Sequence, residues 1–125
     1  FQGETGPYIQ YTYVRTKSVL EKAGYLPKIE HVKIDNLSDE YSMAILKLIY
    51  NFEDILIQVT DKNEPSILAR YLIELAKACS SFYNENKIIV DDKDVQDARV
   101  YLTYAVSQVL KQGANLLGIE MPEKM

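Results

Sequence analysis

Residues 95–117 read VQDARVYLTYAVSQVLKQGANLL. Within them Val95, Ala98, Leu102, Ala105, Val106, Val109, Leu110, Gly113, Leu116 and Leu117 recur at steps of three and four, the spacing of one helix face. A half-buried strand would instead alternate apolar and polar residues, and no such run occurs in the chain. Just upstream, Asp91, Asp92 and Asp94 suit the cap of this helix, where carboxylates meet unpaired N–H groups and the positive helix end. Capping accounts for these acids more simply than a magnesium site does. Gly118 suits the left-handed C-terminal cap. Gly113 lies on the stripe itself, which predicts a close helix–helix approach, a break there being the alternative.

Working outward, the same period recurs. Pro65 opens a helix with the stripe Ile67, Leu68, Tyr71, Leu72, Leu75, Cys79, Phe82 and Tyr83, closed by Asn84 to Lys87. Ile88 to Val90 are a short loop or strand, too isolated to build a sheet. Before Pro65, Ser38 reads as a cap with Asp39 and Glu40 in the first turn. The stripe Tyr41, Ala44, Ile45, Leu48, Ile49, Phe52, Ile55, Leu56 and Val59 follows. Asn51-Phe52 is a point where a bend or a break fits, although the stripe runs through it, and Asp61 to Glu64 form the exit loop. The first helix is expected from Pro7, fed by a turn at Gly3 and Gly6, to about Ala23, with Gly24 as its cap. Residues 25–37 read as a connector with a short extended piece at His31–Ile34. The expected fold is all-α, a helical bundle of about four long amphipathic helices in one domain spanning residues 1–125, with 119–125 a tail that Pro122 keeps from being helical.

The chain has 125 residues, 47% hydrophobic and 26% charged, which suits one globular domain with its own core. No stretch approaches the ~18 apolar residues of a spanning helix, and the start has no signal-peptide pattern. The lone Cys79 rules out an internal disulfide, fits a reducing compartment and reads as a small core residue. His31, the only histidine, reads as an exposed loop residue and not as a metal ligand. A net charge of −4 lacks the basic footprint of a non-specific nucleic-acid binder. The first residue is Phe, which hints at an excised piece or a tagged chain, although processing gives the same start.

Motifs for chemistry are missing. The sequence has no phosphate-binding loop, dinucleotide fingerprint, nucleophile elbow or H-E-x-x-H. Attention passes to the tyrosines. Tyr41, Tyr71, Tyr101 and Tyr104 fall in or beside helix stripes and read as half-buried. Tyr8, Tyr11 and Arg15 share a face of the first helix, next to the more apolar face of Ile9, Tyr13, Thr16 and Leu20. Aromatic rings and a guanidinium are what proteins use to hold unstacked bases. They are equally favoured at protein–protein hot spots, so a helical interaction module without RNA binding stands as the alternative.

The segment Gly3-Glu4-Thr5-Gly6-Pro7-Tyr8-Ile9-Gln10-Tyr11, followed by Arg15, resembles the G-x-T-G-P-Y-x-Q-Y-x-x-x-R segment of arginyl-tRNA synthetases. Leu116-Leu117-Gly118-Ile119-Glu120-Met121-Pro122-Glu123-Lys124-Met125 is similar to that family's closing L-L-G-I-x-x-P-x-x-M. Glu64-Pro65, Leu68-Ala69-Arg70-Tyr71-Leu72 and Phe82-Tyr83 are similar to its E-P-x-x-L-x-x-Y-L…F-Y pattern. The resemblance implies the C-terminal anticodon-binding domain of a cytoplasmic class I enzyme that charges tRNA with arginine, using ATP and magnesium. Residues 1–7 would then be the junction with a catalytic domain whose nucleotide-binding signatures are not in this sequence, so the fragment should bind and not catalyse. Its partners would be the anticodon loop of the arginine tRNA and its own catalytic domain, with no membrane and no DNA. Carried over by motif, the RNA-binding residues are Tyr8, Tyr11, Arg15, Tyr83 and Met125. Tyr13 departs from the family, in which many members carry His.

All arginine anticodons share a central cytosine, whose O2 and N3 accept hydrogen bonds and whose N4 donates. On this reading Arg15 serves the acceptors and the Met125 main chain takes the amino proton, with Tyr8 and Tyr11 as walls. That pocket requires an exposed Tyr8–Tyr11–Arg15 face and a tail folded back onto the first helix.

Overall fold

Helix is already established at Thr5, and the computed structural model describes residues 5–125. Helix α1 runs Thr5–Ala23, so it starts ahead of the expected Pro7, with Gly6 helical and buried. Proline is tolerated anywhere in the first turn, where its missing N–H has no intrahelical partner, so Pro7 does not mark the first helical residue. Gly3 lies outside the described residues. At the other end Gly24 adopts φ 79° and donates its N–H to the Leu20 carbonyl at 3.1 Å, the left-handed cap expected of it.

In the connector only Val32 and Lys33 of the expected extended piece are extended, and they form no strand. On either side of them 3₁₀ turns form at Ile29–His31 and Ile34–Asn36, closed by N–H groups of Val32 and Leu37 on the carbonyls of Ile29 and Ile34. An isolated strand would leave its backbone groups without a partner strand, whereas these turns satisfy them locally. His31 is exposed, on the first of the turns.

Helix α2 (Glu40–Tyr50) is capped by Asp39, not by Ser38. The Asp39 carboxylate accepts from the Ser42 N–H at 3.0 Å and from the Ser42 hydroxyl at 2.7 Å, which places the cap one residue later than expected. The five-turn stripe is carried by two helices: of the bend or break expected at Asn51-Phe52 the break occurs, and the chain resumes as α3 (Phe52–Lys62). Asn51 bonds back to Lys47 and Leu48, and the Tyr71 hydroxyl from a distant helix donates to the Leu48 carbonyl. The tyrosine thus satisfies a carbonyl at the end of α2, and its ring stacks on Phe52 at 5.7 Å as α3 begins. Helix α3 then runs past the expected loop start at Asp61 to Lys62 and ends at Asn63 with φ 52°, a conformation asparagine tolerates.

Helices α4 (Pro65–Glu85) and α5 (Lys93–Leu116) form the centre. Helix α1 packs across both, while α2 and α3 pack on α4. Leu72, Leu75 and Phe82 of α4 meet Val100, Val106 and Leu110 of α5 and Ile9 and Tyr13 of α1 in one core. Gly113 is the close approach expected: a Cβ there would lie 2.7 Å from Leu72 Cδ2. Leu116, counted on the inward stripe, is 62% exposed, because it is the last helical residue and no neighbouring element covers it. Asp92 caps α5, accepting from the N–H groups of Asp94 and Val95. Residues 88–90 are loop, with Val90 N–H held by Gln96 Oε1 at 2.9 Å. The described residues thus form five α-helices and no strand, and none of these helices is long and apolar enough to cross a membrane.

Candidate nucleic-acid interface

Helix α1 carries the site because only part of its circumference is buried. Ile9, Thr12, Tyr13 and Thr16 face inward. The two threonine hydroxyls reach that interior by donating to the carbonyls of Tyr8 and Tyr13 within the helix. Tyr13 is a core residue at 1% exposure, and burial raises its hydroxyl pKa, with the charge of Glu123 adding to the effect. Tyr11 stands out at 65% exposure, Arg15 is exposed and Tyr8 is half-buried.

Arg15 does not wave free. Its guanidinium carbon lies 4.9 Å from the centre of the Tyr83 ring, a cation–π contact between α1 and α4. Tyr83 is half-buried, with its hydroxyl inside, beside Cys79 and Thr103 and without a well-formed hydrogen bond. Burial pushes the pKa of that hydroxyl well up, and pushes the neighbouring Cys79 thiol up to about 11. The tyrosine is therefore neutral, and its ring is the platform on which the arginine rests.

Beside this pair opens a cleft of about 310 Å³ lined by Arg15, Val19, Lys22, Tyr83 and the 86–89 loop. The loop is pinned from α5: Arg99 donates to the Lys87 carbonyl at 2.7 Å and to Asn86 Oδ1 at 3.2 Å. Asn86 in turn donates to Asp39 Oδ2 at 3.2 Å, so the cap of α2 also holds this loop.

The tail takes the other flank of α1. Gly118, at φ 76°, ends α5 with paired bonds, Gly118 N–H to Asn115 and Ile119 N–H to Ala114, the Schellman pattern that reverses the chain. Ile119 and Met121 then pack on the core, and Gln10 Nε2 donates to the Glu120 carbonyl at 2.8 Å. Met125 comes to rest, 67% exposed, at a cleft of about 740 Å³ that Val14, Lys17, Ser18 and Glu21 of α1 also line. Tyr25 forms part of its wall, held by its hydroxyl on buried Asp97 at 2.6 Å. The tail does fold back onto α1, but the two clefts share no lining residue. Met125 thus lines the cleft on one flank of α1 and Arg15 the cleft on the other.

A sequence profile described as the DALR anticodon binding domain matches residues 9–125. The chain belongs to that family. An arginine--tRNA ligase of Halothermothrix orenii is 52% identical over 128 residues, which cover 100% of this chain and 22% of that protein. One from Alkaliphilus metalliredigens is 42% identical over 125 residues, again 100% of this chain and 22% of the relative. Among solved structures, the Thermus thermophilus arginyl-tRNA synthetase superposes with a TM-score of 0.87 at 29% identity, over 100% of this chain and 22% of that one. The chain thus spans about a fifth of the length of these relatives.

Within this anticodon binding domain, Arg15 and Tyr83 meet at one cleft and Met125 lines another, while Tyr8 and Tyr11 share the Arg15 face of α1 by helical spacing but line neither cleft. Sequence reading missed Asn86, Arg99 and Asp39, which set the loop beside Arg15. Each looked like an ordinary polar residue, and only the fold brings them together. Lys22 was legible, being seven residues after Arg15 and so on the same face.

Proposed function

We propose that this domain reads the anticodon loop of an arginine tRNA, as the C-terminal part of an arginine--tRNA ligase acting in the cytoplasm. The observation that carries the reading is Arg15, exposed on α1 and steadied on the Tyr83 ring, with exposed Tyr11 one turn earlier on the same face. A guanidinium so oriented donates to O2 and N3 of an unstacked cytosine, and the tyrosine rings offer stacking faces. Family membership supports this over a helical protein–protein module. Because Met125 sits across α1 from Arg15, the loop straddles the helix edge. One base meets the Arg15–Tyr83 side and a neighbouring nucleotide meets Met125. Aminoacylation itself, with ATP and magnesium, belongs to a separate catalytic domain to which this one delivers the tRNA.

The test is charging of arginine tRNA by a full-length ligase carrying this domain. Arg15→Ala should lower kcat/KM by the equivalent of about 1–3 kcal/mol. Arginine activation without tRNA should be unchanged. A loss of only a few-fold would refute the role of Arg15.

A further inference from the structure

The two clefts beside α1 differ in charge. Around Met125, Lys17 and Lys124 are offset by Glu21 and Glu123. The cleft beside Arg15 is lined by Arg15, Lys22 and Lys87 and by no carboxylate. None of these three cations takes part in an ion pair among the described residues, where the salt bridges are Lys33–Asp94 and Lys93–Asp97. In a chain of net charge −4, three cations around one cleft with no ion pair among the described residues form a local field that attracts an anion.

The arrangement is also held in place. Arg15 rests on Tyr83, Lys22 follows two turns later on the same face of α1, and Lys87 is carried by the loop that Arg99 and Asn86 pin. Val19, Ile88 and Ile89 give the cleft an apolar floor, against which a sugar or base edge can lie while a phosphate meets the ammonium groups at the rim.

We propose that Lys22 and Lys87 bind RNA backbone phosphate in this cleft, fixing the register of the strand whose base Arg15 reads. The inference rests on the anticodon reading above and adds to it a division of labour. Arg15 specifies and the two lysines position.

Phosphate contacts carry a signature that base contacts lack: binding falls with salt at about 0.7 logarithmic units per contact for single strands. Two contacts are worth roughly 25-fold at ~0.1 M salt relative to ~1 M. The experiment measures, by fluorescence anisotropy across a salt series, binding of the chain to an RNA hairpin bearing an arginine anticodon loop. A second hairpin has its central cytosine replaced. The Lys22→Gln/Lys87→Gln variant should bind both hairpins about 25-fold more weakly at ~0.1 M salt, with the salt slope reduced by about 1.4. The ratio between the hairpins should hold, and Lys22→Arg/Lys87→Arg should restore affinity. Both lysines are exposed, and circular dichroism melting will show the fold intact. Unchanged affinity and slope in the glutamine variant, with discrimination still lost in Arg15→Ala, would overturn the phosphate site and leave the anticodon reading standing. If the parent chain does not prefer the cytosine hairpin, the anticodon reading fails and takes this inference with it.

Discussion

Replacing Gly113 by alanine sets two effects against each other inside α5. In a helix interior alanine is about 1 kcal/mol better than glycine, because it surrenders less backbone freedom. A Cβ at this position, however, would lie 2.7 Å from Leu72 Cδ2 and 3.1 Å from Leu72 Cδ1. A relaxed carbon–carbon contact is about 3.5–4.0 Å. Leu72 is fully buried, so the overlap is relieved only by repacking its side chain within the core or by moving α5 away from α4. Overpacking of this kind costs roughly 1–3 kcal/mol and outweighs the gain in propensity. The expected net loss is about 1 kcal/mol, or about 4 °C in Tm for a domain of this size. The decisive comparison uses Leu72→Ala, which alone costs about 2–5 kcal/mol. In that background the clash is gone, and Gly113→Ala should now stabilise by about 1 kcal/mol. Urea unfolding followed by circular dichroism on the four proteins should give a coupling of about 2 kcal/mol. Gly113→Ala stabilising both backgrounds alike would refute the reasoning. The contact matters beyond stability because it sets where the end of α5, and with it the tail, is presented to α1.

Gly118→Ala meets no steric obstacle, yet the residue holds φ 76°, so the cost is backbone strain of about 1–2 kcal/mol. Chemical denaturation should show that loss, with Gly118→Asn milder because asparagine tolerates the left-handed region. Tyr71→Phe removes the hydroxyl that serves the Leu48 carbonyl and should cost about 1–2 kcal/mol, with α2 and α3 exchanging amide hydrogens faster than α5. For Asp39, burial alone would raise the carboxyl pKa. Hydrogen bonds from the Ser42 side chain and backbone and from Asn86 outweigh it, and the folded value lies below 3.8. A depressed pKa stabilises the fold above the unfolded value, and that stability drains as pH falls through 3.8 toward the folded value. Asp39→Asn should therefore be less stable at neutral pH and lose less of its stability on acidification. Parallel acid limbs in the two proteins would rule the coupling out.

Periodicity alone placed the long helices, because a buried face repeats every three to four residues whatever it packs against. Gly24, Gly113 and Gly118 were legible for a related reason: a left-handed cap or a tight crossing leaves few other residues possible. The Tyr8–Tyr11–Arg15 face was legible too, since residues three and seven apart share a helix side. What the sequence left undecided involves partners far apart in the chain. The apolar stripe through Asn51 left a bend or a break open, and at the break that forms the Tyr71 hydroxyl, from a distant helix, serves the Leu48 carbonyl. Asp39, Asn86 and Arg99 have no local pattern, yet they converge on one loop. The relation between Arg15 and Met125 is the sharpest case. Their sequence motifs suggested a single pocket, and the Schellman turn at Gly118 does bring the tail back to α1. Which flank of the helix the tail follows depends on how Ile119 and Met121 seat on the core and on the bond from Gln10 to Glu120. Local pattern determines which face a residue occupies on its own helix, and only packing determines what stands opposite.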